Sequence, residues 1–321
     1  VFYKKVFGLA LPIALQSLIT IGVNMLDTIM VGKLGEKALS ATSLANSFIS
    51  IYQIFCMGLG MGASVLVSRY WGMKTAHNEE EKASRALKQT VCLMLRLTIL
   101  LASLFAVATL IMPKTLMKMY TDDFEIIELG SQYFKWSIIT YFFLGTSLTS
   151  TIVLRSVGQV RLPLFVSIGA FFVNLLANYA FIFGKLGAPR MEVAGAALGT
   201  LIARLFEAGM ILGYLFFKDK KIAFKIKDIF MKTNSLVAEY IRICIPVLIS
   251  DGILAIGNNS VAMVIGHLGA TFVAANAITS VTQQLSTVVI QGVSQAGAIV
   301  TGQTLGNEGK EKTMSQCWMF L

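Results

Sequence analysis

Charged side chains are scarce in this chain of 321 residues. Lys, Arg, Asp and Glu together make up 14% of it, whereas hydrophobic residues make up 55%. A soluble domain carries roughly 25% charged residues, so this chain has too few of them to cover a surface that faces water. The composition therefore excludes an ordinary soluble domain and predicts an integral membrane protein.

Cysteine and histidine are also few. The four cysteines lie far apart, in or beside apolar runs, and no CxxC or Cys/His cluster occurs. This pattern indicates neither a disulfide framework nor a zinc site. The two histidines, His77 and His267, have no acid or nucleophile near them at a matching depth. We therefore predict that the protein is not an enzyme and needs no organic cofactor.

The net charge of +10 comes from lysines and arginines in short loops between apolar runs. A nucleic-acid-binding protein would instead collect such residues on one folded face, with aromatic residues between them. We therefore expect the lipid bilayer, and not a nucleic acid, as the partner of this chain.

Eight apolar runs are long enough to cross a bilayer, which takes about 20 residues. The predicted spans cover residues 7–31, 38–68, 90–112, 133–154, 162–183, 194–217, 241–265 and 272–304, and a ninth begins near residue 314. The predicted fold is therefore an all-α integral membrane protein.

Lys and Arg are concentrated at the N-terminus and in the loops after the second, fourth, sixth and eighth spans. Positively charged loops stay in the cytoplasm, so the N-terminus is predicted to be cytoplasmic. The first and seventh spans then cross the bilayer in the same direction.

The two ends of the chain resemble each other after a shift of 234 residues, when residues 12–72 are set over residues 246–306 without a gap. Identities fall at Pro12/Pro246, Asn24/Asn258, Gly32/Gly266, Leu34/Leu268, Gly35/Gly269, Ala41/Ala275, Gly58/Gly292 and Gly72/Gly306. Proline, asparagine and glycine match more often than leucine or isoleucine, so the shared feature is backbone shape. Repeated helix bundles around a central site are typical of secondary transporters.

The repeat divides the chain into three predicted parts. Residues 1–217 form an N-terminal six-span bundle, residues 218–240 form a basic cytoplasmic linker, and residues 241–321 begin a second, parallel six-span bundle with spans 7, 8 and the start of 9. The first repeat continues well past the position that matches the last residue. We therefore expect the second bundle to be incomplete in this chain.

Asp27, in the first span, is the strongest candidate for a site residue. A carboxylate within a span costs roughly 2.5–3.5 kcal/mol on insertion scales and usually faces a polar cavity. The topology places Asn24 on the same helix face, and Asn174, Asn178 and Thr200 at the same outer level of neighbouring spans. Carboxylate, amide and hydroxyl oxygens together suit a small cation or a proton. The alternative is that the asparagines only join helices by hydrogen bonds.

Other polar residues are candidates for contact with a substrate or a second coupling ion. Within the spans these are Asp251, Asn24, Asn258, Gln284 and Tyr141. The Tyr141 ring would offer an aromatic surface to an organic cation. Arg204 and Glu207 lie three residues apart on the sixth span, and we predict that they neutralise each other in an intrahelical ion pair.

Several spaced motifs resemble the multidrug and toxic compound extrusion (MATE) family. They are LALPIALQ…NMLDTIMVGKLGEKALSA in the first span, LVSRYWG after the second, VLRSVGQVRLPLF before the fifth, NLLANYAFIFG in the fifth and VAGAALGTLIAR in the sixth. The resemblance covers essentially the whole chain. It implies two bundles of six spans in a monomer of the plasma (inner) membrane. Such a protein exports drugs, mostly small organic cations, in exchange for Na⁺ or H⁺.

The resemblance also implies a cation-binding site. The cation site of the family is similar to Asp27, Asn174, Asn178 and Thr200, with Na⁺ expected at the first three, although many members have aspartate where this chain has Asn178. Some members have a functional glutamate one turn after the position of Asp251, where this chain has alanine. A lipid-linked oligosaccharide flippase of a related fold is the alternative, but it would be expected to place more cationic side chains in its cavity.

Overall fold

The computed structural model describes residues 2–76 and 80–318, and these residues form helices joined by short connections. In chain order the helices are α1 (Phe2–Gly32), α2 (Glu36–Thr75), α3 (Glu80–Ile111), α4 (Pro113–Lys118), α5 (Phe124–Ser156), α6 (Arg161–Phe183), α7 (Glu192–Gly213), α8 (Asn234–Leu268), α9 (Ala270–Asn307) and α10 (Lys310–Trp318). A π-helical turn, Tyr214–Lys218, continues α7, and a 3₁₀ turn, Ile226–Phe230, lies between α7 and α8.

Eight of the described helices are long and apolar enough to cross a membrane, which confirms the predicted all-α membrane fold. Each predicted span falls almost entirely within one helix. The helices are longer than the spans; α2 has 40 residues, or about 60 Å at 1.5 Å per residue, and so extends beyond a hydrocarbon core of about 30 Å. Helix α10 covers the predicted start of a ninth span, and the residues after 318 lie outside the described part.

The internal repeat is visible in the backbone of the two helix pairs α1–α2 and α8–α9. Pro12 and Pro246 both lie inside the first helix of their pair. Gly35 and Gly269 both precede the second helix, with φ of 121° and 117° and ψ of 169° and 167°. Only glycine adopts this conformation without strain. The matching glycines of the sequence therefore do encode the same helix-to-helix turn twice.

Helices α2 and α9 cross in close contact near their C-terminal ends. A Cβ atom on Gly72 would lie 2.1 Å from the carbonyl oxygen of Gln303, and one on Gly306 would lie 1.9 Å from that of Arg69. Gly72 and Gly306 match in the repeat, as do Arg69 and Gln303, so the contact has an approximate two-fold symmetry. We call it the α2–α9 crossing (residues 69–73 and 303–307). Small residues at such positions let helix backbones approach in a membrane.

The helices of the two repeats also pack together beside this crossing. Gly292 on α9 contacts Ala10 and Ala14 on α1, and Cys244 on α8 packs against Gly62 on α2. A separate apolar cluster joins the start of α1 to the second half of α9; it consists of Val6, Leu9, Ala10, Ile13, Val160, Ala296, Ile299 and Val300. The end of the molecule near the crossing is therefore densely packed.

The basic segment between α7 and α8 packs on the end of the bundle. Lys221 Nζ donates to the carbonyl oxygen of Val157 at 2.7 Å, and Gln159 Nε2 donates to Asp219 Oδ1 at 2.7 Å. Partial burial lowers the pKa of Lys221. Helix α8 begins at Asn234, which is before the predicted end of the linker at residue 240. The segment is therefore shorter than predicted, and it is held to the bundle.

Gly306→Ala should weaken the α2–α9 crossing, because the new methyl group would lie 1.9 Å from the carbonyl oxygen of Arg69 and would push the helices apart. Overpacking of this kind costs about 1–3 kcal/mol. Gly209→Ala is the matched control, since Gly209 is also helical but a Cβ there meets no atom within 4 Å. Thermal unfolding in detergent should give a lower midpoint for Gly306→Ala only. Equal midpoints for both variants would contradict the close contact.

Candidate functional site

A cavity of about 650 Å³ lies between the two repeats. Residues of α1, α2, α5, α6 and α7 line one side of it, and residues of α8 and α9 line the other. Ligand pockets usually measure about 300–1,000 Å³, so the cavity is large enough for a drug-sized molecule. Helices α1 and α9 touch near Ala14 and Gly292 but are separated by the cavity at Asn24 and Gln284.

The lining of this cavity contains many polar side chains among its apolar ones. Side-chain amides come from Asn24, Asn46, Gln53, Asn174, Asn258, Asn259, Asn276, Gln283 and Gln284. Hydroxyl groups come from many serine and threonine residues, and Tyr133 is the single aromatic residue among the described lining. The cavity therefore offers many hydrogen bonds and little aromatic surface.

Three of the predicted site residues meet at one wall of the cavity. Asn178 Nδ2 donates to Asp27 Oδ1 at 2.5 Å and to Asn174 Oδ1 at 3.2 Å. Asp27 and Asn174 line the cavity, whereas Asn178 is fully buried behind them. Asn178 Oδ1 has no hydrogen-bond partner among the described residues. A Cβ on Gly199 of α7 would lie 2.0 Å from that oxygen, so the glycine makes room for the amide.

Thr200 joins the same wall from α7. It lines the cavity and lies beside the Tyr133 hydroxyl, which donates to Asn46 Oδ1 at 3.2 Å. Tyr133 and Asn46 were not among the predicted site residues. Asn46 could have been found as an amide within an apolar run. The sequence does not show, however, that α2 and α5 bring Asn46 and Tyr133 to the cavity that Asp27 also lines.

Arg204 and Glu207 form the predicted ion pair, with Arg204 Nη1 and Glu207 Oε2 2.7 Å apart. Both residues also line the cavity, and Arg204 is close enough to Asp27 to interact with its charge. Two carboxylates and one guanidinium leave the described lining with one net negative charge when all three are ionised. Such a lining favours a cation over an anion.

The remaining candidates divide into two groups. Asn24, Asn258 and Gln284 line the cavity as expected of substrate contacts. Asp251 does not; its carboxylate lies between α8 and α2, with Oδ2 3.7 Å from where a Cβ on Gly58 would be. Asp251 is therefore placed at the contact between the repeats.

Tyr141 also lies outside the cavity. Its side chain is buried among other aromatic rings, with the Tyr52 ring centroid 5.0 Å away. Its hydroxyl lies 3.2 Å from Thr109 Oγ1, and its carbonyl oxygen accepts a hydrogen bond from the Tyr52 hydroxyl at 2.7 Å. The expectation that Tyr141 offers its ring to a substrate is therefore corrected: it is a packing residue of the N-terminal bundle.

Known proteins resemble this chain throughout its length. The family model MatE matches residues 12–180, more than half of the chain. The probable multidrug resistance protein NorM of Thermotoga maritima is 28% identical over 99% of this chain and 67% of its own length. The multidrug resistance protein NorM of Burkholderia vietnamiensis is 26% identical over 93% of this chain and 62% of its own length. The chain thus spans about two thirds of the length of these relatives.

Solved structures share the fold. A structure of the MATE multidrug transporter DinF-BH superimposes with a TM-score of 0.87 at 18% sequence identity. The match covers 99% of this chain and 69% of that one. At this level of identity the likeness concerns the arrangement of the helices and not the chemistry of the site.

Asn178→Ala should destabilise the protein by about 1.5–3 kcal/mol, the range for a hydrogen bond to a charged group, because Asp27 and Asn174 both lose their donor. Asn258→Ala is the matched control, since that exposed amide lines the cavity and makes no hydrogen bond to the described residues. The measurement is thermal unfolding in detergent. Equal losses in the two variants would mean that the Asn178 amide contributes nothing as a donor.

Proposed function

Since the chain belongs to the MATE family, whose members are transporters and not enzymes, we propose that it acts in the export of small organic cations in exchange for Na⁺ or H⁺. It is a multi-pass membrane protein with eight described spans. The observation that best supports the proposal is the Asp27 carboxylate, which Asn178 holds at the wall of a cavity shared by the two repeats.

The groups around Asp27 fit a small hard cation. Such an ion takes oxygen ligands, and the wall offers the carboxylate, the Asn174 amide oxygen and the Thr200 hydroxyl. Asn178 presents its amide nitrogen to Asp27 and leaves its oxygen without a partner among the described residues. Rotation of this amide by half a turn would exchange the two atoms. The same residue can therefore donate to a free carboxylate or offer an oxygen to a bound cation.

Ion and proton compete for Asp27 in this proposal. A proton or a Na⁺ removes the negative charge that the Asn178 amide and the nearby Arg204 stabilise. Arg204 is then left to its pair with Glu207. Because α1, α6 and α7 carry these groups, their mutual attraction changes when the carboxylate is neutralised. Coupling requires such a change of packing between states.

The lining also supports a substrate class. One net negative charge suits a monovalent cation, and the amides and hydroxyls suit a molecule with several hydrogen-bonding groups. A flippase for lipid-linked phosphates would need unpaired cationic groups to hold the phosphate. The single guanidinium of the described lining, Arg204, is paired with Glu207. The cavity is therefore better suited to a cation than to a phosphate.

Asp27→Asn should abolish stabilisation by Na⁺ and ion-coupled export, since the amide keeps the size of the side chain but not its charge. A bound ion stabilises the folded protein by about 2.7 kcal/mol at 100 times its Kd. The unfolding midpoint is therefore measured in NaCl and in KCl at equal ionic strength. Dye export by reconstituted protein under separate Na⁺ and H⁺ gradients gives the second readout.

Asp251→Asn is the matched control for this experiment, because it removes another carboxylate from a described span without touching the Asp27 wall. Its response to Na⁺ should stay close to that of the unchanged protein. If Asp27→Asn keeps the full response and Asp251→Asn loses it, the coupling site lies at the contact between α8 and α2 instead.

A cationic ligand should bind the cavity at least about tenfold more tightly than its neutral analogue of the same shape, a difference of about 1.4 kcal/mol. A tertiary amine and its carbon isostere form a suitable pair, with binding measured by calorimetry. The preference should shrink in Asp27→Asn, which leaves the described lining without net charge. Equal binding of both ligands, or tighter binding of a lipid phosphate, would contradict the proposed substrate class.

A further inference from the structure

Arg155 is a buried cation without an acidic partner among the described residues. It lies at the end of α5 and is 8% exposed. Its Nη1 donates to Gln295 Oε1 at 2.5 Å and its Nη2 donates to Gln16 Oε1 at 2.5 Å, while its Nε has no partner in the described ranges. The acid that acts on its charge is Glu207, which is already paired with Arg204. A buried charge held only by neutral groups is costly.

The hydrogen bonds of Arg155 join the two repeats. Gln16 lies on α1 of the first repeat, and Gln295 lies on α9 of the second. The neighbouring residue, Ser156, accepts a hydrogen bond at its carbonyl oxygen from Gln303 Nε2 at 2.8 Å. Gln303 is also the residue whose carbonyl contacts Gly72 in the α2–α9 crossing. The guanidinium therefore sits beside the closest contact between the repeats.

A chain of hydrogen bonds connects this position to the cavity. Gln16, which accepts from Arg155, donates through Nε2 to Ser167 Oγ at 2.9 Å. Ser167 in turn lines the cavity. A ligand that binds Ser167 would compete for the Gln16 amide and so disturb the position of the guanidinium.

We propose that Arg155 is a positioning residue that holds α9 against the N-terminal bundle and keeps the α2–α9 crossing closed. The inference rests on the proposed function, because export requires the cavity to open in turn to each side of the membrane, and the two repeats must then separate at this crossing. Arginine suits the role, since its planar guanidinium donates from two nitrogens to acceptors on two different helices at once. Opening would break the bond to Gln295 and return the guanidinium to water, which repays part of its burial cost.

A native thiol beside the α2–α9 crossing reports on separation of the two repeats. Cys244 is 3% exposed and packs against Gly62 across the contact between α8 and α2. Cys317 is exposed and serves as an internal reference, whereas Cys56 is buried within the N-terminal half and reports on unfolding. Alkylation by N-ethylmaleimide at each position is followed by mass spectrometry of the peptides.

Arg155→Gln and Gln295→Ala should each raise the rate of Cys244 alkylation, relative to Cys317, by about tenfold or more, the change expected for a lost hydrogen bond to a charged group. The double variant should resemble the single ones, because both remove the same bond. Arg69→Gln is the matched control. It breaks a half-exposed ion pair between α2 and Glu239 on α8, and such pairs contribute about 0–1 kcal/mol, so its effect should be smaller.

An unchanged rate at Cys244 in both Arg155→Gln and Gln295→Ala would overturn the proposal, as would additive effects in the double variant. If Arg155→Gln also exposes Cys56, that variant has unfolded, and Gln295→Ala, which leaves the charged residue in place, decides the question. Alkylation requires neither Na⁺ nor transport. A negative alkylation result therefore does not count against the proposed Asp27 site. A negative result for Asp27 likewise does not change what alkylation shows about Arg155.

Discussion

The hydrogen bond from Asn178 to the Asp27 carboxylate is the interaction on which the site depends. A carboxylate within an apolar span must receive its partners from neighbouring helices, because the lipid supplies none. Asn178 provides one from α6, and Gly199 on α7 leaves the space that the amide needs. The carboxylate thus links α1 to α6, and α7 packs against the amide that makes this link. Any change in the charge of Asp27 alters what holds them together.

The two regions of contact between the repeats are built differently. At the α2–α9 crossing, Gly72 and Gly306 bring backbones together with no room for a side chain. Farther along the same helices, amide and hydroxyl groups face each other across the cavity. A close contact between glycines is either made or broken, whereas a polar cavity accommodates water or a ligand. The repeats can therefore part at the α2–α9 crossing, while a ligand binds at a different position, in the cavity.

The sequence predicts the spans and the repeat well because both depend on local chemistry. Hydropathy alone locates the eight spans, and the glycines at positions 35 and 269 mark the repeated turn because few other residues adopt its backbone angles. Polar residues within apolar runs similarly indicate Asp27, Asn174 and Asn178. Their short separation in space follows from the direction of each span and the position of each residue along it.

The local sequence does not encode which neighbouring helix a given helix face contacts. The remaining differences between the sequence-based predictions and the structure follow from this. Tyr141 is spaced like a cavity residue, yet its ring packs against Tyr52 because α5 turns that face toward α2. Arg155 lies at the end of a span, where a charge normally reaches water, but α1 and α9 cover it. Tyr133 and Asn46 likewise reach the site only through the packing of α2 and α5.

The most direct test of the account is the infrared difference spectrum of the reconstituted protein on exchange of K⁺ for Na⁺ at constant pH. Protonated and ionised carboxyl groups absorb differently, so the spectrum reports the competition of ion and proton at one group. Competition of Na⁺ and H⁺ at Asp27 predicts a protonated-carboxyl band that decreases when Na⁺ is added. This band should be missing from the spectrum of Asp27→Asn but present in that of Asp251→Asn. A band that responds to Na⁺ equally in Asp27→Asn would contradict it.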